Sequence, residues 1–122
     1  MTGGKGRPRP DLHLLSDIVF WGERVSQHLS GVDEAEFLST PALSDAVCWC
    51  ISCIGEAAGR LRQEWPDVDA RNAELELANA YAMRNRIAHG YFDLDEEILW
   101  QAATVSIPKL VAAARRVLDA TP

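Results

Sequence analysis

Residues 41–65 read PALSDAVCWCISCIGEAAGRLRQEW, and this stretch decides the fold class. Leu43, Val47, Cys50, Ile51, Ile54, Ala58, Leu61 and Trp65 recur at helical spacing, which draws one apolar stripe down a long helix. Thr40-Pro41 opens it, with threonine as N-cap and proline at the first helical position. Pro66 closes it, because the residue before a proline is driven out of the helical region. Cys48, Cys50 and Cys53 fall inside this pattern and read as small packed side chains. No fourth cysteine or histidine stands at zinc-ligand spacing, and without a secretory signal a disulfide framework is not expected.

Upstream, Leu14, Ile18, Trp21, Val25 and Leu29 repeat the same period over roughly five turns. Asp11 is the expected N-cap of this helix and Gly31 its stop. Asp33 to Ser39 fits a short helix or turn. Downstream, the polar segment Asp67 to Arg71 reads as a loop. A third long helix is expected from about Asn72 to His89, with Gly90 as a left-handed cap. Asp93 to Glu97 supplies caps and acids for a last helix. That helix carries Ile98, Ala102, Val105, Val111, Ala114 and Leu118, and Pro108 should disturb it. Nothing alternates with period two for long enough to need a strand. The expected fold is all-α: an antiparallel up-down bundle of four to five helices.

The 122 residues suit one domain, placed at 11–122 behind a basic, Gly/Pro-rich tail at 1–10. Apolar residues make up 48% and charged residues 25%, an ordinary globular balance. No apolar run is long enough for a membrane span and the N-terminus lacks a signal-like core, so a cytoplasmic location is expected. The net charge of −6 hides an asymmetry. With Lys5, Arg7 and Arg9 of the tail set aside, nine bases face 18 acids, a net of about −9. A body this acidic does not suit binding along a phosphate backbone, which rests on many cationic contacts. Nucleic-acid chemistry would need a small local site or a surface completed by a partner.

The chemistry concentrates at Arg84-Asn85-Arg86-Ile87-Ala88-His89-Gly90-Tyr91. Asn85 and His89 are four apart, within reach of each other on a helix. Arg84 is five before His89, so the two point roughly 140° apart on an ideal helix. Either the last turn unwinds at His89-Gly90, or two copies of the helix meet and place two arginines and two histidines around one cleft. Histidine can move protons near neutral pH, and arginine can clamp a phosphate and stabilise its developing charge. No cluster of carboxylates and histidines suggests a catalytic metal, and no cofactor is implied. The plain structural alternative is a helix end with cations at its negative pole and a glycine cap. Trp21 and Trp65 fall on core stripes, while Trp49 falls beside its stripe, a candidate contact for a second copy. His13 and His28 read as surface residues.

Met83-Arg84-Asn85-Arg86-Ile87-Ala88-His89-Gly90-Tyr91-Phe92 resembles the signature of the HepT family within the HEPN superfamily: Arg, a polar residue, three positions, His, one position, Tyr. Asp93-Leu94-Asp95, Ile98-Leu99-Trp100, the stretch Ile54-Gly55-Glu56-Ala57-Ala58 and Pro108 extend the resemblance over most of residues 11–118. It implies a helical bundle that dimerises, and a metal-independent endoribonuclease toxin of a type VII toxin–antitoxin pair. Arg84 and His89 would be the catalytic pair and Asn85 the supporting polar residue. It also implies a partner, a minimal nucleotidyltransferase of the MNT type, which silences the toxin by moving AMP from ATP to the motif tyrosine, here Tyr91. The stretch between Trp65 and Met83 departs from the family pattern and is longer. Glu56, facing Arg84 or Arg86, reads as an ion-pair partner before a catalyst. The alternative function is a non-catalytic helical adaptor that binds the nucleotidyltransferase and is modified by it, which suits the acidic body.

Overall fold

A computed structural model of the chain describes residues 9–90 and 95–121. Its order is α1 (Pro10–His28), α2 (Glu34–Ser39), α3 (Pro41–Glu64), α4 (Pro66–Arg71), a 3₁₀ turn (Ala73–Leu75), α5 (Leu77–Gly90), α6 (Glu96–Gln101), a π-helical segment (Ala102–Ser106) and α7 (Ile107–Ala120). The described residues hold no strand. The all-α bundle expected from periodicity is the observed architecture.

The central stripe does what its spacing predicts. Val47, Cys50, Ile51, Ile54, Ala58 and Leu61 of α3 are buried, and α3 packs on α1 along one side and on α5 along the other. Leu14, Leu15, Ile18 and Val25 of α1 meet this core and also face α7. Fully burying each such aliphatic side chain contributes roughly 1.5–3 kcal/mol, so the stripe alone supplies much of the drive to fold. Phe37 of α2 is fully buried and lies 5.3 Å from the Trp100 ring, closing one end of the bundle.

Several local expectations are corrected. Pro10 takes the first helical position, so Arg9 and not Asp11 is the N-cap of α1. Asp11 sits in the first turn, where its charge suits the helix dipole, and pairs with Arg9 at 3.5 Å. The segment 67–71 is not a loop: Pro66 stops α3 and also starts α4, whose Val68 is buried and whose Arg71 bonds back to Asp67. The third long helix starts at Leu77 and not at Asn72, because Glu76 adopts a left-handed backbone (φ 46°, ψ 47°) that breaks the run between buried Leu75 and Leu77. Gly90 stays within α5 and is not a left-handed cap. Gly31, at φ 73°, is left-handed but lies in the turn after the Leu29 C-cap of α1.

The last helix shows how Pro108 is accommodated. Backbone angles stay right-handed helical from Gln101 through Ile107, so α6, the π segment and α7 form one continuous rod. A proline ring cannot fit under the carbonyl four residues earlier in a regular helix, and it donates no hydrogen bond. The turn before it widens to π geometry, which is how the expected disturbance appears.

Candidate active site

Alanines at 78, 80, 82 and 88 make α5 a good helix former despite its polar content. Leu77 and Ile87 are buried, and Ala80 and Met83 pack partly against the core, which fixes the face that α5 turns to α3. Two glycines permit the approach. A Cβ on Gly55 would lie 2.1 Å from Arg84 Cβ and 2.9 Å from the Ala80 carbonyl oxygen; one on Gly59 would lie 2.5 Å from the Tyr81 ring. The pairs 55–84 and 59–81 run in opposite chain directions, so α3 and α5 are antiparallel. The Gly-Glu-Ala-Ala stretch therefore has a mechanical meaning: Gly55 is the seat on which the Arg84 stem rests.

From that seat the Arg84 guanidinium reaches two partners. Nη2 stands 3.4 Å from Glu56 Oε1, and Nη1 donates to Asn85 Oδ1 at 3.0 Å. The Arg84 side chain is one-third exposed, so one side of the guanidinium is held and another is open to an incoming anion. The Glu56 carboxylate is mostly solvated, so this pair orients the arginine more than it stabilises the fold.

His89 is exposed at the end of α5. No hydrogen bond joins it to Asn85 among the described residues, so the expected Asn85–His89 contact is not made; the Asn85 oxygen is engaged by Arg84 instead. The helix runs unbroken through Gly90, which removes the unwound turn as a way to bring Arg84 and His89 together. On this unbroken helix the two positions are rotated roughly 140° from each other. Arg86 is exposed and carries no ion pair among the described residues, so the C-terminal half of α5 is locally basic on an acidic body. Tyr91 and Asp93 lie outside the described residues.

Other candidates fall away. His13 and His28 are exposed, and the described residues contain no group of three or more metal-ligating side chains. Burial, with the charges of Asp45 and Glu96 added, pushes the Cys48 thiol up to about 11, and burial likewise raises Cys50 and Cys53. None of the three is poised as a thiolate near neutral pH. Trp21 and Trp65 are partly buried against the core, whereas Trp49 is 64% exposed. Trp49 stands two turns before Glu56 on α3, so an exposed indole lies on the same stripe as the glutamate that holds Arg84. No helix among the described residues is long and apolar enough to cross a membrane.

The fold and site together define the class, an all-helical bundle with an Arg/His motif at the end of its third long helix. The family model described as Ribonuclease HepT-like matches residues 22–117, and the chain belongs to that family. Putative RNase TTE0752 of Caldanaerobacter subterraneus subsp. tengcongensis is 30% identical over 113 residues, covering 92% of this chain and 95% of that protein. Putative RNase MJ0125 of Methanocaldococcus jannaschii is 27% identical over 104 residues, 84% of this chain and 87% of its own length. Probable ribonuclease HepT of Thermococcus cleftensis is 26% identical over 96 residues, with coverage of 79% and 84%. No solved structure gives a significant match.

Proposed function

We propose that this chain is a metal-independent endoribonuclease that acts as a homodimer, with Arg84 and His89 of two copies around one cleft and Asn85 in support. The observation that carries this is the unbroken α5: Glu56 and Asn85 hold Arg84 with one side open, and five residues of regular helix set His89 roughly 140° away from it. A second copy supplies what one chain cannot bring together. The exposed Trp49 beside Glu56 favours such pairing, because a dimer would cover an indole that a monomer leaves in water.

In this cleft a histidine takes the proton of a ribose 2′-hydroxyl, and the freed oxygen attacks the adjacent phosphorus. The bond to the 5′-oxygen breaks, and that oxygen leaves with a proton from a histidine. The products are a 2′,3′-cyclic phosphate and a 5′-hydroxyl end. Arginine compensates the charge that gathers on the phosphoryl oxygens. Purified chain should cut RNA in the presence of a chelator and leave cyclic phosphate ends; RNA left intact unless a divalent cation is added would contradict it. Glu56→Ala should lower cleavage about tenfold with little change in melting temperature, whereas Glu56→Gln, still able to bond the guanidinium, should keep most activity.

The same reading makes the chain the toxin of a toxin–antitoxin pair. Its partner would be an MNT-type nucleotidyltransferase that transfers AMP from ATP to the Tyr91 oxygen, releasing pyrophosphate. Membership of the HepT-like family supports it. An adenylate two residues from His89 would fill the cleft and repel RNA phosphate. Tyr91→Phe should cleave RNA as the wild type does and gain no AMP mass when incubated with ATP and the partner. A gain on the phenylalanine variant would place the modification elsewhere.

A second reading, a non-catalytic adaptor for the same nucleotidyltransferase, is favoured by the acidic body, which suits a protein partner better than RNA. It requires that Arg84→Ala leave toxicity unchanged.

A further inference from the structure

Among the described residues the bundle is open between α5 and α7. α5 packs on α3, and α7 packs on α1, but α5 and α7 form no packed pair of their own. Between them lies a cavity of about 350 Å³. Its floor is Ile51 and Ile54, both buried; Met83 of α5 and Leu110 of α7 form its sides. The volume and the apolar lining are those of a small-molecule site.

Two backbone irregularities meet at this cavity. One wall is built from the π-helical segment, through Ala102, Val105 and Ser106, the turn that Pro108 widens. The mouth is built by Glu76, the one non-glycine residue at positive φ among the described residues. A side chain held in that region is strained and persists only where its surroundings fix it. Here they do: Glu76 accepts from Asn79 at 2.7 Å and from Lys109, across the mouth on α7, at 3.3 Å. Glu74 also lines the mouth and has no ion pair among the described residues. Two carboxylates and one ammonium leave the mouth with a net negative charge above an apolar floor.

We propose that this cavity is a binding site for a small amphipathic organic cation, an apolar body with an ammonium head. The body lies on Ile51, Ile54, Met83 and Leu110, and the head meets Glu74 while Lys109 keeps Glu76. Such a ligand bears on α5, the helix that carries Arg84 and Asn85. The site stands apart from the RNA reading: its residues are not those of the cleft, and its test contains no nuclease step.

The test compares octylammonium with octanoate, equal in chain length and opposite in charge, by titration of amide resonances. Octylammonium should saturate one site with a dissociation constant of about 1 mM or tighter. It should shift the amides of Ala80, Met83, Ala102 and Leu110, and octanoate should bind about fivefold more weakly. Glu74→Gln, on the surface and safe for folding, should remove most of that difference. Ala80→Leu, which fills the cavity, should abolish both. Equal binding of the two probes, shifts that map elsewhere, an unchanged preference in Glu74→Gln, or no saturation would each overturn the proposal.

Discussion

His89→Ala is expected to lower RNA cleavage by about 10²–10⁴-fold, and Arg84→Ala by about 10²–10³-fold, with the fold intact in both. The first figure is the usual worth of a positioned general acid–base, the second that of one donor to a transition-state oxyanion. Neither change should cost much stability. His89 is exposed, and Arg84 lends the core only its stem, resting on Gly55. Cleavage rates on a defined oligonucleotide with chelator present, beside melting temperatures, check both. RNA binding should also respond only weakly to salt: with two to four phosphate contacts the logarithmic slope is about −1.5 to −3, against much steeper values for proteins that follow a backbone. A steep slope would mean that the acidic body is not the surface RNA meets.

Gly55→Val is expected to be the most damaging single substitution at the α3–α5 seam. The new side chain would collide with Arg84 Cβ and with the Ala80 carbonyl oxygen, an obstacle that cannot rotate away. The helices must separate, and Leu77 and Ile87 lose part of their burial. Overpacking of this kind costs about 1–3 kcal/mol or more, which for a chain of this size lowers the melting temperature by about 5–10 °C. The seat of Arg84 is lost as well, so activity should fall even at temperatures where the variant is folded. Gly90→Ala is the control. Among the described residues no neighbour lies within 4 Å of a Cβ placed there, and its φ is not positive, so alanine should be neutral or stabilise by about 0.5–1 kcal/mol. Thermal melts of the two variants decide it; equal melting temperatures would contradict the packing argument.

What could be seen in the sequence was whatever periodicity governs. The α3 stripe, the stop at Pro66 and the exposed Trp49 follow from counting residues along one helix, and all three are found. Features that depend on two distant segments were not visible. Gly55 was notable only by resemblance, because its reason sits at residue 84 on another helix. The break at Glu76 had no signal, since a glutamate at positive φ is held there by Asn79 and by Lys109, 33 residues away. Pro66 reads as a stop from the α3 side, yet proline at a first helical position equally starts a helix, and the polar residues after it hide α4. At the site, spacing put Asn85 within reach of His89, yet its oxygen accepts from Arg84, which the ion pair with Glu56 holds from another helix. The rotation between Arg84 and His89 was legible from the start. What the structure adds is that α5 does not bend to cancel it.

That rotation is the centre of the account, and mixing two inactive variants tests it most directly. Arg84→Ala retains its histidine and His89→Ala retains its arginine. If one cleft draws an arginine from one copy and a histidine from the other, exchanged dimers contain one intact pair. Random exchange puts about half the molecules in mixed pairs, so the mixture should recover about a quarter of wild-type cleavage. A mixture as inactive as either variant alone, after exchange is verified, would contradict a cleft shared between two chains.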